Sequence, residues 1–359
     1  MSVKPLASLT AIVTVSILAS AARGQWTVTY LNPAGATDCE AWAASGSQQA
    51  GYVAVGGLIH ASLWNGTAAP WIDLHPAAAL YSTALAVSGS QQSGYAFVGG
   101  ATHASLWSGT AASWVDLNPA GASASAANAT NGSQQAGYAV VDGVNHAGLW
   151  SGTAATWIDL HPAGAAFSTA TAVTGSQQAG FANMGGMDHA SLWNGTAASW
   201  VDLNPAGATG SEVYAASGSL QVGEADVGGV SSAGLWSGTA ASWVDLNPAG
   251  STLSYAYAAS GLLQAGYATV GGVRHAGYWS GTASSWVDLG ALLPSVFSSD
   301  FAEGVSTDGT NIYVSGYGRN SVTGTDFAIL WTRAIPGPGA SGLIILGGWT
   351  ATRRRHARF

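Results

Sequence analysis

A unit of 43 residues recurs along most of this chain, and its regularity constrains the fold more than any local propensity does. One Trp, which follows Leu or Tyr, recurs at that interval at Trp64, Trp107, Trp150, Trp193, Trp236 and Trp279. A second Trp recurs in the same register at Trp71, Trp114, Trp157, Trp200, Trp243 and Trp286. A fixed period of this length is the sequence signature of solenoids and propellers.

Each unit contains four short segments that are typical of β-strands. In the second unit they span residues 83–88, 94–98, 103–107 and 113–117. The sequences between them, GSQQ, GG, SGTAA and NPA, are rich in turn-forming residues. No part of the repeated region shows a sustained helical period with caps. The sequence therefore predicts an all-β fold with four-stranded units.

The two ends of the repeated region hold complementary fragments of one further unit. Residues 25–33 match a fourth strand that lacks its first three, because Leu31-Asn32-Pro33 repeats one period later as Leu74-His75-Pro76. Residues 328–331 match a third strand with no fourth after it, and an excess of nine residues falls around 317–325. This division predicts a closed ring, a seven-bladed β-propeller in which the N-terminal strand completes the last blade. A solenoid is the alternative, but it would have atypical caps at both ends.

The predicted blade units span 36–78, 79–121, 122–164, 165–207, 208–250 and 251–293, and 294–335 together with 25–33 form the seventh. Their length and shared ends resemble WD40 propellers, although no Trp-Asp pair ends the unit. The run His-Ala-Ser-Leu-Trp, as at 103–107, resembles the extracellular HAF repeat, with Ser in place of Phe. The HAF resemblance implies an exported repeat domain and no particular activity.

Both termini have the features of targeting segments. Residues 1–24 carry Lys4, an apolar run and the small-residue sequence Ala19-Ser20-Ala21, which is typical of a secretory signal peptide. Residues 336–359 contain Pro336-Gly337-Pro338, a short apolar stretch and a final Arg cluster. This order resembles the PEP-CTERM tails of exported bacterial proteins, with Gly337 where Glu is usual. The resemblance implies a sorting peptidase as partner, membrane contact only through the terminal segments before processing, and a cell-surface or extracellular location.

The charge distribution excludes one class of partner. Once the ends are set aside, the body carries three basic residues, Arg274, Arg319 and Arg333, and 17 acidic residues, a formal charge of −14. Such a surface repels phosphate backbones, so no binding of nucleic acid is expected. The single cysteine, Cys39, cannot form an internal disulfide.

The recurring residues offer three candidate sites. The second Trp of each unit (Trp71, Trp114, Trp157, Trp200, Trp243, Trp286) is either a core residue or a sugar-stacking platform. The histidines His60, His103, His146, His189 and His275 lie too far from the predicted axis to converge on a metal, so they are assigned structural hydrogen bonds to a Ser or a turn carbonyl. The Asp two residues after the second Trp is expected to protect the outer edge of the blade. No catalytic residue, metal site or cofactor is predicted.

These observations favour a non-enzymatic, exported cell-surface propeller that binds or displays an unknown surface protein or glycan. A multivalent lectin that uses the outer Trp residues is the alternative. A propeller glycosidase or lyase would require facing acids near the axis, which the spacing does not indicate. Departures from the repeat are concentrated in the fifth unit (Glu212, Glu224, Asp226) and the seventh (Asp300, Glu303, Asp308, Asp326), where a unique site is expected if one exists.

Overall fold

The computed structural model describes residues 25–335 and confirms the seven-bladed β-propeller. Seven antiparallel sheets of four strands each form the blades. Blades 1 to 3 comprise β2 (Asp38–Ser45), β3 (Gln48–Val55), β4 (Leu58–Asn65), β5 (Ile72–Asp73); β6 (Ser82–Ser88), β7 (Gln91–Val98), β8 (Ala101–Trp107), β9 (Val115–Asp116); and β10 (Ser125–Thr130), β11 (Gln135–Val141), β12 (Val144–Trp150), β13 (Ile158–Asp159).

Blades 4 to 6 repeat this order along the chain, and blade 7 combines both ends of it. Their strands are β14 (Ser168–Thr174), β15 (Gln177–Met184), β16 (Met187–Trp193), β17 (Val201–Asp202); β18 (Ala208–Ser217), β19 (Leu220–Val227), β20 (Val230–Trp236), β21 (Val244–Asp245); β22 (Ser251–Ser260), β23 (Leu263–Val270), β24 (Val273–Trp279), β25 (Val287–Asp288); and β26 (Phe297–Thr307), β27 (Asn311–Asn320), β28 (Asp326–Ala334) with β1 (Thr27–Tyr30).

The ring closes in blade 7, where β1 pairs antiparallel with β28. Val28 lies opposite Trp331 and Tyr30 lies opposite Ile329. Leu31, directly after β1, is fully buried, as are its six counterparts one period apart: Leu74, Leu117, Leu160, Leu203, Leu246 and Leu289. The last blade is thus sealed by a strand from the beginning of the chain, as the complementary end fragments predict.

The outermost strand of each blade is shorter than the sequence predicts. In blade 2 the predicted segment 113–117 forms only the two-residue strand β9. A 3-10 turn precedes it because the Ser113 hydroxyl donates to Thr110 O at 2.6 Å and accepts from Ser108 N at 2.8 Å. Five such turns precede outermost strands in residues 25–335: Ala111–Ser113, Ala154–Thr156, Ala197–Ser199, Ala240–Ser242 and Ala283–Ser285; a further 3-10 turn, Gly290–Leu292, follows β25. No helix of the described residues is long and apolar enough to cross a membrane.

The hydrophobic core lies between neighbouring blades. The first Trp of each unit is buried to within 1% of its surface, and it packs against small side chains of the preceding blade. A buried Gln lies at the start of the middle strand in blades 1 to 6; the Gln92 amide oxygen accepts from Gly109 N at 2.8 Å, and its nitrogen donates to Ser90 O at 3.2 Å. Because the buried amide has partners on both sides, it ties together the two turns at one end of its blade.

A glycine in the middle strand allows the inner strand to approach closely. A Cβ on Gly137 would lie 1.9 Å from the carbonyl oxygen of Ala126, which is far inside van der Waals contact. Gly137→Ala is therefore expected to lower the free energy of unfolding by about 2–4 kcal/mol, measured by urea denaturation. Gly210→Ala is the control, because the nearest atom to its added Cβ is 3.7 Å away and no change should occur. Equal effects of the two substitutions would contradict the close approach.

Candidate ligand site at one mouth of the channel

A β-bulge in every inner strand places one unpaired residue per blade beside the central channel. In blade 1 the register shifts between Ala41 and Ala43, so Trp42 has no partner on β3. The same shift recurs in all seven blades. The unpaired residues line a cavity of about 200 Å³: Trp42, Leu85, Asn128, Thr171, Tyr214, Tyr257 and Glu303. Bulges redirect side chains in this way beside functional sites.

The two mouths of the channel differ in chemistry. At the C-terminal ends of the inner strands, small polar residues such as Ser45, Ser88 and Thr174 surround the opening. Some of them join neighbouring blades; Gly218 N donates to Thr174 Oγ1 at 3.2 Å, and Gly261 N donates to Ser217 Oγ at 2.9 Å. The opposite mouth, where the inner strands begin, carries the large and charged side chains. A ligand site with distinct chemistry is therefore placed at this second mouth.

An aromatic–acidic arc occupies blades 5, 6, 7 and 1 at that mouth. Each of these contiguous blades contributes three equivalent positions, two on the inner strand and one on the middle strand. We define the arc by these residues: Glu212, Tyr214 and Glu224; Tyr255, Tyr257 and Tyr267; Phe301, Glu303 and Tyr317; and Glu40, Trp42 and Tyr52. The corresponding residues of blades 2 to 4 carry no charge: Thr83, Leu85 and Tyr95; Ala126, Asn128 and Tyr138; Thr169, Thr171 and Phe181.

The four carboxyl groups of the arc have raised pKa values. Burial, with the nearby charge of Glu40, raises the pKa of Glu303 to about 8. Burial and the charges of Asp226 and Glu212 raise the pKa of Glu224 to about 8. Burial is also the main cause for Glu40 and Glu212, whose pKa values rise to about 7. The arc therefore changes charge near neutral pH, and a bound cation would favour its ionised form.

The aromatic rings of the arc pack against one another across blade boundaries. Tyr214 of blade 5 lies with its ring centroid 5.2 Å from that of Tyr257 in blade 6, and Tyr267 lies 5.0 Å from Phe301 in blade 7. The guanidinium carbon of Arg274 lies 5.6 Å from the ring centroids of both Tyr267 and Phe301. This surface already holds one cation of the chain against its aromatic faces, the geometry of a cation–π contact.

Three carboxylates meet where blade 7 contacts blade 1. Oxygen atoms of Asp38, Glu40 and Asp326 lie within 4.8 Å of one another, the only such group of potential metal ligands found in residues 25–335. Most of these oxygens already accept hydrogen bonds, and the donors are the Tyr52 hydroxyl, Trp42 Nε1, Asp326 N and Arg319 Nη1. Because those donors satisfy the carboxylate oxygens, the cluster works as a hydrogen-bonded seam between the first and last blades, although its three acids are the residues that could hold a metal ion.

The outer tryptophans do not present free faces. The six residues predicted as a possible sugar platform are half-buried, and each packs against a hydrophobic cluster. Trp114 Nε1 donates to Ser105 Oγ at 2.9 Å. A Cβ on Gly148 would lie 2.1 Å from Trp157 Nε1, so that indole lies flat on the third strand. These rings cover the edge of the blade.

Each of the five histidines pairs with the Asp of the outermost strand in its own blade, and not with the Ser or turn carbonyl that the sequence suggested. The Asp also accepts from a backbone N–H, as Asp116 Oδ1 does from Asn118 N at 2.8 Å. The pairs, with Nδ1 to Oδ2 distances of 2.8–3.2 Å, are His60–Asp73, His103–Asp116, His146–Asp159, His189–Asp202 and His275–Asp288. The aspartates thus anchor the short outer strands.

Sequence reasoning based on the constant positions of the repeat missed the arc. The sequence indicates the arc only at the variable positions of the repeat. The bulge position, for example, is Trp, Leu, Asn, Thr, Tyr and Tyr in six otherwise similar units. Among the departures noted in the fifth and seventh units, Glu212, Glu224 and Glu303 belong to the arc. Asp300 lies elsewhere and accepts from Ala276 N at 2.6 Å, and Asp308 lies in a turn where its Oδ1 accepts from Asn311 N at 2.7 Å.

Comparison with known proteins supports the fold. A puromycin hydrolase is 12% identical with a TM-score of 0.56, and the match covers 83% of this chain and 56% of the hydrolase. A structure from a study of two prolyl endopeptidases is 11% identical with a TM-score of 0.54, and the match covers 81% and 48% of the two chains. The chain thus spans about half the length of these structures. No protein-family model and no curated protein matches the sequence.

These structures contradict the function predicted from the sequence. The prediction was a non-enzymatic exported cell-surface scaffold for binding or display, with a lectin and a glycosidase or lyase as alternatives. The similar structures are instead peptidases and a hydrolase, and the matched part is their propeller domain, which is not the catalytic part. At 11–12% identity the likeness establishes the fold alone. The half-buried outer Trp rings also speak against the lectin alternative.

Proposed function

We propose that this propeller is the substrate-selecting part of a peptide-hydrolysing system, and that it binds basic peptide segments at the aromatic–acidic arc. The observation that carries the proposal is the combination of four glutamates with raised pKa values, one buried and three half-buried, with packed aromatic rings at one mouth of the channel. The proposed function differs from that of a display scaffold because the bound peptide is passed on for hydrolysis. The hydrolase is either a separate chain or a further domain of a longer chain that includes this propeller.

The chemistry of the arc matches the side chains of Lys and Arg. Their aliphatic stems pack on aromatic rings while the charged end pairs with a carboxylate, and both contacts strengthen where water is excluded. Within residues 25–335 the basic side chains number three against 17 acids, so an incoming cation meets an attractive field. The bulge residues of blades 2 to 4, Leu85, Asn128 and Thr171, are uncharged and smaller than the Trp and Tyr residues of the arc, and they leave room for the remainder of a peptide.

The likeness to peptidase propellers supports the peptide part of the proposal. The hydrolase and endopeptidase structures match this chain over about half of their own length, so in each a propeller accompanies another part of the enzyme. One of the matched structures is a puromycin hydrolase mutant in complex with PGG. From these enzymes we infer only that the propeller of this chain takes part in peptide hydrolysis.

Peptide binding provides the test. A fluorescent peptide with several Lys residues is expected to bind the purified protein with a Kd in the micromolar range, and its Lys-acetylated form about tenfold or more weakly. Binding should strengthen as the pH rises from about 6 to about 8.5, because the glutamates with pKa values of about 7 to 8 ionise in that interval while Lys stays charged. Anisotropy titration measures both effects.

Glu40→Gln combined with Glu303→Gln should weaken binding of the Lys peptide and remove part of its pH dependence. Asp142→Gly is the matched control, because it also removes acidic charge but lies in a hairpin turn where other units have Gly-Gly. Equal affinity for the acetylated and unmodified peptides, or a loss with Asp142→Gly as large as with the double variant, would refute selection of basic peptides by the arc.

The proposal includes an exported location. Its support is the leader-like sequence of residues 1–24 and the PEP-CTERM-like order of parts in residues 336–359, both of which lie outside the described residues. Under this proposal the chain carries HAF-related repeats, a sorting peptidase processes its tail, and the mature protein reaches the cell surface or the medium. Mass spectrometry of the exported protein should find new termini near residue 24 and near the Pro-Gly-Pro sequence at 336–338. Intact termini in exported material would contradict both cleavages.

A further inference from the structure

One carboxylate of blade 5 is buried without a partner. Glu224 is 7% exposed, and its Oε2 atom has no hydrogen-bond partner among the described residues. Five of the six equivalent positions in the other blades hold Tyr, at Tyr52, Tyr95, Tyr138, Tyr267 and Tyr317, and the sixth holds Phe181. A buried carboxylate without a donor costs several kcal/mol of folding free energy when it is ionised, about as much as a core defect. The apolar or phenolic residue of the other blades would avoid that cost.

A second acid faces the first on the same sheet. Glu212 on β18 lies directly opposite Glu224 on β19, and register pairs of this kind point to the same face. Asp226 follows Glu224 by two residues along the strand, so it shares that face as well. Like charges placed directly opposite destabilise a sheet. The two glutamates therefore make a site that is unfavourable when empty and ionised.

No basic side chain of the described residues neutralises this pair. Arg319 donates to Asp326 Oδ2 at 2.9 Å, and Arg333 lies over the Trp26 ring at 5.0 Å from its centroid. Arg274 lies over Tyr267 and Phe301. Residues 25–335 contain no Lys. The compensating charge has to come from a ligand.

The spacing favours an ammonium group over a metal ion. In residues 25–335 the only three acidic ligands with oxygens within 4.8 Å of one another are Asp38, Glu40 and Asp326, so the blade 5 acids are too widely spaced for one bare ion to bind three of them. An ammonium group needs fewer of them, because two of its three N–H donors can each make a hydrogen bond of about 2.8 Å to one of the two opposed glutamates. A planar guanidinium needs both oxygens of one carboxylate in its plane, which opposed carboxylates do not offer.

We propose that Glu212 and Glu224, with the charge of Asp226 beside them, form an anchor subsite that binds a primary ammonium group, the end of a Lys side chain or of a free diamine. Tyr214, whose ring centroid lies 5.2 Å from that of Tyr257, provides the wall along which the alkyl stem lies. This inference rests on the proposed function for its peptide ligand, but the subsite is testable with a small amine alone.

Cadaverine is the probe that separates the subsite from peptide binding. Isothermal titration at about pH 8.5 should show binding to the wild-type protein, and the double variant Glu212→Thr with Glu224→Phe should lose about tenfold or more in affinity. That variant installs the residues of blade 4 at the same positions, Thr169 and Phe181, so its fold should be kept, as circular dichroism can verify. Asp142→Gly should bind cadaverine as the wild type does.

Each outcome has one meaning. Cadaverine binding that the double variant abolishes supports the subsite, whether or not Lys peptides bind. Cadaverine affinity that is equal in both proteins, with Lys-peptide binding also unchanged in the double variant, would overturn the subsite and leave the proposed function standing. Cadaverine affinity equal in both proteins, or displacement of cadaverine by millimolar CaCl₂ but not by excess methylamine, would overturn it as well.

Discussion

Deletion of residues 25–34 is expected to abolish cooperative folding of the ring, the largest effect that we anticipate from any single change. The deletion removes β1, which contributes four residue pairs with β28, and it removes the fully buried Leu31. It also removes Trp26, whose ring lies 5.4 Å from that of Tyr278. Loss of one buried Leu alone costs about 2–5 kcal/mol, and the unpaired backbone of β28 adds to it.

Urea denaturation followed by Trp fluorescence measures the effect. The deleted protein should show no transition, or one at a much lower urea concentration than the intact protein. A synthetic peptide of residues 25–34 should restore the transition when it is added in excess, since the strand then binds from solution. A scrambled peptide of the same composition is the control. A deletion protein with an unchanged midpoint would show that the blades hold together as an open array.

The ring and its closure were predictable from the sequence because both depend on periodic features. Leu31 and Leu74 are one period apart, and this spacing alone aligned the first strand with the outer strands of the other blades. The predicted match of residues 328–331 to a third strand is confirmed by the pairing of Trp331 with Val28. A repeat fixes which segments are equivalent, and equivalent segments must find equivalent partners.

Features that break the period were not predictable in the same way. The excess of nine residues in the seventh blade was expected around 317–325, but Gly316, 50 residues after Gly266, is already the counterpart of that residue, because each pairs with the Ala before a bulge. Much of the excess therefore lies earlier, in a longer inner strand and its hairpin. The bulges themselves add one unpaired residue per blade, and they shift which side chains face the channel. Alternation of faces along a strand cannot reveal such a shift.

The partners of polar side chains were also hidden, because they depend on where the outer strand lies. His103 was assigned a Ser or a turn carbonyl, whereas the 3-10 turn at Ala111–Ser113 brings Asp116 to 2.8 Å from its Nδ1 atom. The arc depends on four blades being neighbours in space. Its residues are distant in the chain, since Glu40 and Glu303 influence each other only after the ring has closed.

Stability should fall as the pH rises from about 6.5 to about 8.5, and the variant with Glu212→Thr and Glu224→Phe should lose less of it. In the folded protein the pKa values of these glutamates are raised to about 7 and about 8, from 4.5 for the free group. A raised pKa means that the folded state holds protons that the unfolded state has already released. The stability that protonated Glu212 and Glu224 contribute is therefore fully present below about pH 4.5, and it is lost as the pH rises through their pKa values in the folded protein.

The choice of pH interval separates the glutamates from the histidines. Burial lowers the pKa of His75 and of His161 below 6.5, so these groups destabilise the fold only at more acidic pH. Between about pH 6.5 and about pH 8.5 the glutamates of the arc dominate. Each unit of pKa shift corresponds to about 1.4 kcal/mol, and the coupling between the two glutamates makes their combined effect smaller than the sum of the two shifts. We therefore expect the free energy of unfolding of the variant to exceed that of the wild type by about 2–4 kcal/mol at about pH 8.5.

Chemical denaturation at the two pH values measures the difference, and Asp142→Gly, which removes charge from a hairpin turn, should follow the wild type at both. A variant that is less stable than the wild type at about pH 8.5 would show that the pair is compensated within the protein. If the variant instead gains stability while it loses cadaverine binding, the two results have one cause. The wild-type chain keeps a pair of opposed, buried carboxylates at the expense of stability, as proteins do where a binding site requires it.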